Sequence, residues 1–187
     1  DGFPIFIENA LPGEKVVAHV LKIGKKFGYA KVVEWLSTSP DRIPLVDPNG
    51  TRVGTMPLQH MKYEAQLAFK QKQVKHVMNT IAKMPELEVR PTIGMKHPFG
   101  YRNKAQIPVR MVDGLLTTGF FKKNSHDLVP MEDFHIQDPE IDRIILVVRD
   151  ILRKYAIEAY DEEKHTGDLR HIIVRRGLRT SQVMIIL

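Results

Sequence analysis

The chain has 187 residues, 43% of them hydrophobic and none of them cysteine, which gives apolar material for one medium domain or two small ones and excludes disulfides, thiolate metal ligands and cysteine nucleophiles within it. Its longest apolar run, Ile144 to Val148, is far below the roughly 20 residues of a bilayer-spanning helix and no basic-then-apolar leader opens it, so no membrane role is expected and the cytoplasm is the expected location. The formal charge of +6 is segregated, with +1 over residues 1–57, +8 over 58–126, −7 over 127–163 and +4 over 164–187; a middle this basic points to a polyanion partner, with a merely solvated lysine face as the alternative.

The opening sequence, Asp1 to Glu8, begins inside an alternating pattern, and the closing run, Ser181 to Leu187, stops in a β-prone apolar stretch, so further polypeptide is expected at both ends. Ile5 to Asn9, Val16 to Ile23 and Tyr29 to Leu36 read as short strands, the last two joined by a hairpin at Gly24 to Gly28. That rhythm fits a small barrel. The hairpin mixes Lys22, Lys25 and Lys26 with Phe27 and Tyr29, a combination suited to phosphate contact and base stacking. Residues 37–57 are rich in proline, glycine and small polar side chains and read as a linker. From Leu58 to about Met84 the spacing predicts a helix with Tyr63, Leu67, Val74, Val77, Met78 and Ile81 on one stripe and Lys70 within it.

Tyr101 to Val112 and Leu116 to Phe121 flank Asp113-Gly114 and predict a second hairpin. Its alternation sends Arg102, Lys104, Gln106 and Pro108 to one face and Tyr101, Asn103, Ala105, Ile107 and Val109 to the other. Asp138-Pro139-Glu140 supplies a cap, a first-turn proline and an early acid for a helix carrying Ile141, Ile145, Val148 and Leu152. Arg170 to Arg175 and Val183 to Leu187 predict a last hairpin extending the same sheet. Phe120 is expected in the core.

Catalytic patterns are missing from this stretch of chain. Gly24-Lys25-Lys26 lacks the glycine and the Ser or Thr of a phosphate-binding loop, and the eight histidines form no zinc-binding spacing. Ser125-His126-Asp127 has triad residue types, but neighbours on an extended chain point to opposite sides.

Several segments, in shared order, resemble the bacterial 23S ribosomal RNA (uracil-5-)-methyltransferase family. They are Tyr29 to Trp35 with Ser39 to Arg42, Leu58 to His60 with Tyr63 to Leu67, Tyr101 to Lys104, Gly119-Phe120 with Ser125-His126, Leu169 to His171 with Arg175, and Gln182 to Leu187. The resemblance implies an α+β chain: a small OB-like TRAM β-barrel, incomplete at its N-terminus, over residues 1–40, a linker or degenerate iron-sulfur loop over 41–57, and over 58–187 a central RNA-binding domain built on an antiparallel sheet, with two long helices in all. It implies transfer of a methyl group from S-adenosylmethionine to C5 of a uridine, giving 5-methyluridine, by a C-terminal methyltransferase domain beyond Leu187. This chain would hold ribosomal RNA, bind no S-adenosylmethionine and be inactive alone, with no catalytic residue of its own.

Candidate RNA contacts are Lys22, Lys25, Lys26, Phe27, Tyr101, Arg102, Lys104, Phe121, Lys122, Lys123, Arg170 and Arg175, each a cation or a ring able to stack. Many family members carry four cluster-binding cysteines. The matching positions here are Asp47, Val53, Met56 and Phe134, which supply no thiolate, so no iron-sulfur cluster and no metal are expected and apolar packing is expected to tie the loop down. A standalone OB-like nucleic-acid-binding or translation-associated protein without enzymatic activity is the alternative reading.

Overall fold

The computed structural model describes residues 2–187. Their contacts form two compact units: residues 2–46 with 58–93, and residues 47–57 with 94–187. Of the segment read as a linker, residues 47–57 pack with the second unit, and the long helix packs with the first. Among the described residues no helix is long and apolar enough to cross a membrane.

The first unit holds an open three-stranded sheet of β1 (Ile5–Glu8), β2 (Lys15–Ile23) and β3 (Gly28–Ser37) in the order β1-β3-β2. The hairpin between β2 and β3 forms as expected. Strand β1 adds to β3 in parallel, pairing Phe6 with Tyr29. The sheet does not close into a barrel among the described residues. The same unit contains a helix (Tyr63–Thr80) within the expected span. Its stripe departs from expectation: none of its residues is buried, and Val74 and Val77 instead line an open groove of about 900 Å³ together with Leu11 and Met61. The following tail straps back along the helix, with Gln71 Nε2 donating to the Val89 carbonyl and the Thr92 hydroxyl to the Leu67 carbonyl.

Glu14 holds the unit's sheet to the segment leading into that helix. Its carboxylate accepts from the backbone N–H groups of Leu11 (2.9 Å) and Ser39 (3.1 Å), from Trp35 Nε1 (3.3 Å), and from Arg42 Nε (2.5 Å) and Nη2 (2.7 Å). The Arg42 guanidinium, against burial that acts the other way, holds this carboxyl down at about 2. Nearby, burial pushes the His60 imidazole below its ordinary pKa, with the charge of Arg42 acting in the same direction and that of Glu14 opposing it. Its Nδ1 has no hydrogen-bond partner among the described residues.

The second unit begins with a short helix, α1 (Pro48–Val53), inside the segment read as irregular. Asp47 caps it by accepting from the N–H groups of Asn49 and Gly50, both at 2.8 Å, and Gly54 ends it at φ 82°, a left-handed conformation that glycine takes without strain. The longer helix of the first unit is α2. A five-stranded sheet follows, in the order β6-β5-β4-β7-β8: β4 (Lys104–Val112), β5 (Leu115–Phe121), β6 (Leu128–Pro130), β7 (His171–Arg176) and β8 (Val183–Ile186), all paired antiparallel. Asp113 and Gly114 both take positive φ, as the tight turn between β4 and β5 requires.

Helix α3 (Pro139–Lys154) starts at the expected cap, Asp138 accepting from Glu140 N at 2.9 Å. It covers one face of the sheet. Ile141, Ile145, Val148 and Leu152 pack on Ala105, Ile107, Val109, Ile172 and Val174, so the alternation read from the sequence is the alternation of the core. Pro108, assigned to the other face, is also buried, and Tyr101 to Asn103 precede the strand rather than belong to it. Val53 packs against this core, which contains Phe134, and Phe120 meets Phe134 edge-on at 5.1 Å.

Candidate nucleic-acid interface

On the face of the five-stranded sheet opposite α3, register sets the side chains in rows. Lys104 pairs with Arg175, and Arg175 pairs in turn with Met184; Gln106 pairs with Ile173, and Ile173 with Ile186. Pairs in register share a face, so the exposed Lys104 and Arg175 stand side by side. Arg110, which faces the same way, lies over the Phe121 ring at 5.0 Å and binds Glu162 at 2.9 Å. Arg170 lies over the Tyr160 ring at 4.1 Å, and the Tyr160 hydroxyl meets His165 Nδ1 at 3.1 Å. His171 sits among these cations, and burial, then the charges of Arg110 and Arg170, lower its pKa.

The remaining candidates fall into separate places. Tyr101 and Arg102 are exposed where the chain approaches β4; the Arg102 backbone pairs with Gln137 just before the α3 cap. Lys122 and Lys123 occupy the turn after β5. The Lys123 N–H donates to the Arg52 carbonyl at 3.0 Å, and its side-chain carbons lie beside Gly54, so its stem is set against α1 and not on the sheet face. Lys22, Lys25, Lys26 and Phe27 are exposed on the β2–β3 hairpin of the first unit. Arg110 and Tyr160 were not singled out from sequence. Arg110 continues the alternation that selects Lys104, so its facing was readable; its stacking on Phe121 was not, because that depends on the pairing of β4 with β5.

Among the described residues Ser125, His126 and Asp127 form no triad. The Ser125 hydroxyl accepts from the Asp127 N–H at 3.0 Å within its own turn, and the His126 ring packs edge-on toward Phe121. A polar recess of about 480 Å³ contains Asp47, Thr118, Glu132, Asp133, Arg149 and Arg153. Its buried Arg149 is already held by Glu132 at 2.7 Å and Asp150 at 3.0 Å. Among the described residues no group of three or more His, Cys, Asp or Glu side chains is placed to hold a metal ion. The four positions matching the cluster cysteines do not fit an iron-sulfur cluster: the Asp47 carboxylate caps α1, while Met56 and Phe134 are buried and Val53 packs against the core. All four belong to the second unit.

No protein-family model matches the chain. Curated relatives align with it from end to end. An uncharacterized RNA methyltransferase of Enterococcus faecalis is 59% identical over 187 residues, all of this chain and 41% of that protein. One from Streptococcus agalactiae is 52% identical over all of this chain and 42% of its own length. The chain therefore spans about two fifths of the relatives it matches. Among solved structures, the Pyrococcus abyssi tRNA (uracil-54, C5)-methyltransferase in complex with S-adenosyl-L-homocysteine superposes with a TM-score of 0.67 at 22% identity, over 97% of this chain and 40% of that one. That likeness is one of fold.

Proposed function

We propose that this chain is the RNA-holding portion of an S-adenosylmethionine-dependent ribosomal RNA uridine C5-methyltransferase. It comprises a TRAM-type strand region over 1–40 and a central domain that carries the five-stranded sheet, joined in sequence by residues 41–57, which contain α1. The observation that carries the holding role is the row of Lys104 and Arg175 on the sheet face left open by α3, with the Arg110–Phe121 and Arg170–Tyr160 stacks in the same unit. Cations neutralise phosphates and release their counterions, while guanidinium planes and rings take unpaired bases. Similarity along the whole chain to proteins named as RNA methyltransferases supports the parent activity, since a chain covering 41% of such a relative leaves most of it for other work.

In this reading S-adenosylmethionine supplies the methyl group on polypeptide outside these residues, and the chain's own side chains grip and orient ribosomal RNA so that the target uridine can leave its stack. The protein works in the cytoplasm, where that RNA is found. The test is methyl transfer to ribosomal RNA by the intact parent protein and by this chain alone. The parent is expected to form 5-methyluridine and the chain alone none. Turnover by the chain alone would overturn the assignment, and a parent that methylates transfer RNA but not ribosomal RNA would overturn the substrate.

A further inference from the structure

The first unit's sheet has two unlike faces. In register across its three strands, Ile5, Gly28 and Ile23 form one row and Ile7, Ala30 and Val20 the next, an apolar side on which Gly28 and Ala30 are buried. The opposite side carries Phe6, Tyr29 and Lys22 in one row and Glu8, Lys31 and His19 in the next. Ile5, Val20 and Ile23 on the apolar side are exposed as well, so burial does not decide where the rings sit. Here three rings gather on the polar side.

Phe6 lies 5.7 Å from both Phe27 and Tyr29, and Phe27 lies 5.5 Å from Tyr29. Phe6 is 57% exposed, Tyr29 46% and Phe27 41%, so each keeps a large part of its surface open after packing on the others. Residues 19–33 contain four lysines and no carboxylate; Glu8, beside Lys31, is the one acid in these two rows.

The geometry points to a stacking platform, formed by Phe6, Phe27 and Tyr29 and bordered by Lys22, Lys25, Lys26 and Lys31, that takes an unpaired nucleotide of the bound RNA. This inference rests on the RNA-holding reading and adds a chemical class to it: single-stranded RNA, taken without regard to base. A duplex keeps its base faces stacked against each other and offers the rings none. An unpaired base offers a π-face whatever its identity, and the lysines meet the phosphates on either side of it.

The test uses the 187-residue chain and measures anisotropy with two probes, a fluorescein-labelled oligouridylate and a blunt-ended RNA duplex. Phe6→Leu, Phe27→Leu and Tyr29→Leu keep apolar bulk but remove the ring, and circular dichroism checks that each variant folds. Each is expected to weaken oligouridylate binding roughly tenfold or more while leaving duplex binding within about twofold and the salt slope unchanged, since no cation is lost. Ring variants that bind oligouridylate like the unaltered chain would overturn the platform and leave the holding reading intact. An unaltered chain that binds neither probe would overturn both. Photocrosslinking of the unaltered chain to a thiouridine-containing strand gives a readout independent of variant folding: adducts on Phe6, Phe27 or Tyr29 are expected, and adducts confined to other residues would overturn the platform.

Discussion

Glu14→Gln tests how the first unit is held together. The Glu14 side chain is fully buried and its carboxylate collects five hydrogen bonds, two of them from Arg42, whose own side chain is 17% exposed. A carboxyl held at about 2 instead of 4.5 reflects a preference for the ionised form of about 3 kcal/mol at 1.36 kcal/mol per unit. Glutamine keeps one acceptor oxygen but turns an NH₂ toward groups that are all donors, and it leaves Arg42 without a counter-charge. The expected loss is about 2–3 kcal/mol. Trp35 is the chain's single tryptophan and donates to Glu14, so urea unfolding followed by its fluorescence reports on this unit. Because the folded-state value is depressed, the contribution is complete above pH 4.5 and fades as pH falls toward 2. A variant within about 0.5 kcal/mol of the unaltered chain at pH 7, or one whose deficit does not shrink on acidification, would show that the Glu14 charge does not hold this unit together.

Other outcomes follow from the second unit. Asp142 is pushed up to about 6, first by burial, although it accepts from Phe134 N (3.2 Å) and Gln137 Nε2 (2.7 Å). A raised folded-state value means that its ionisation opposes folding increasingly as pH rises from 3.8 through 6; Asp142→Asn should therefore gain stability relative to the unaltered chain between pH 4 and pH 7 in thermal melts, and a constant difference would contradict this. Asp138 caps α3 and binds Arg176 Nη1 at 2.5 Å, so Asp138→Ala should cost roughly 2 kcal/mol in a denaturant titration followed by circular dichroism. Phe134, 1% exposed at the centre of the core, should cost about 3–5 kcal/mol when changed to alanine. Protein purified from cells grown with ample iron should show no iron-sulfur absorption, since Asp47, Val53, Met56 and Phe134 present no thiolate.

The parts of the fold legible in the sequence were those whose cause is local. Asp113-Gly114 permits a positive-φ turn, and Asp138-Pro139 caps and starts α3, so the β4–β5 hairpin and that helix could be read from a few residues each. Helix α1 was hidden because proline and glycine suggested a loop, although Asp47-Pro48 and Gly54 are start and stop signals. The parallel pairing of β1 with β3 depends on contacts distant in sequence, which periodicity does not carry. The stripe on α2 showed the same limit: spacing predicted the helix but not what would cover it.

Of the candidate interface, charge segregation located the basic segment and alternation selected Lys104. The pairing of Lys104 with Arg175, some seventy residues away, required the β4–β7 register. Phe6 was missed for the same reason, since only the register of β1 against β3 brings it to Tyr29.

Whether the sheet face holds phosphates is read from the affinity of this chain for ribosomal RNA hairpins as salt is varied. Log K is expected to fall steeply with log salt, and Lys104→Gln with Arg175→Gln is expected to flatten the slope by about 1 to 2 and weaken binding about thirtyfold near 0.15 M salt, at roughly fivefold per lost phosphate contact. Binding that ignores salt, or a double variant that binds as tightly and as steeply as the unaltered chain, would contradict phosphate holding by that face.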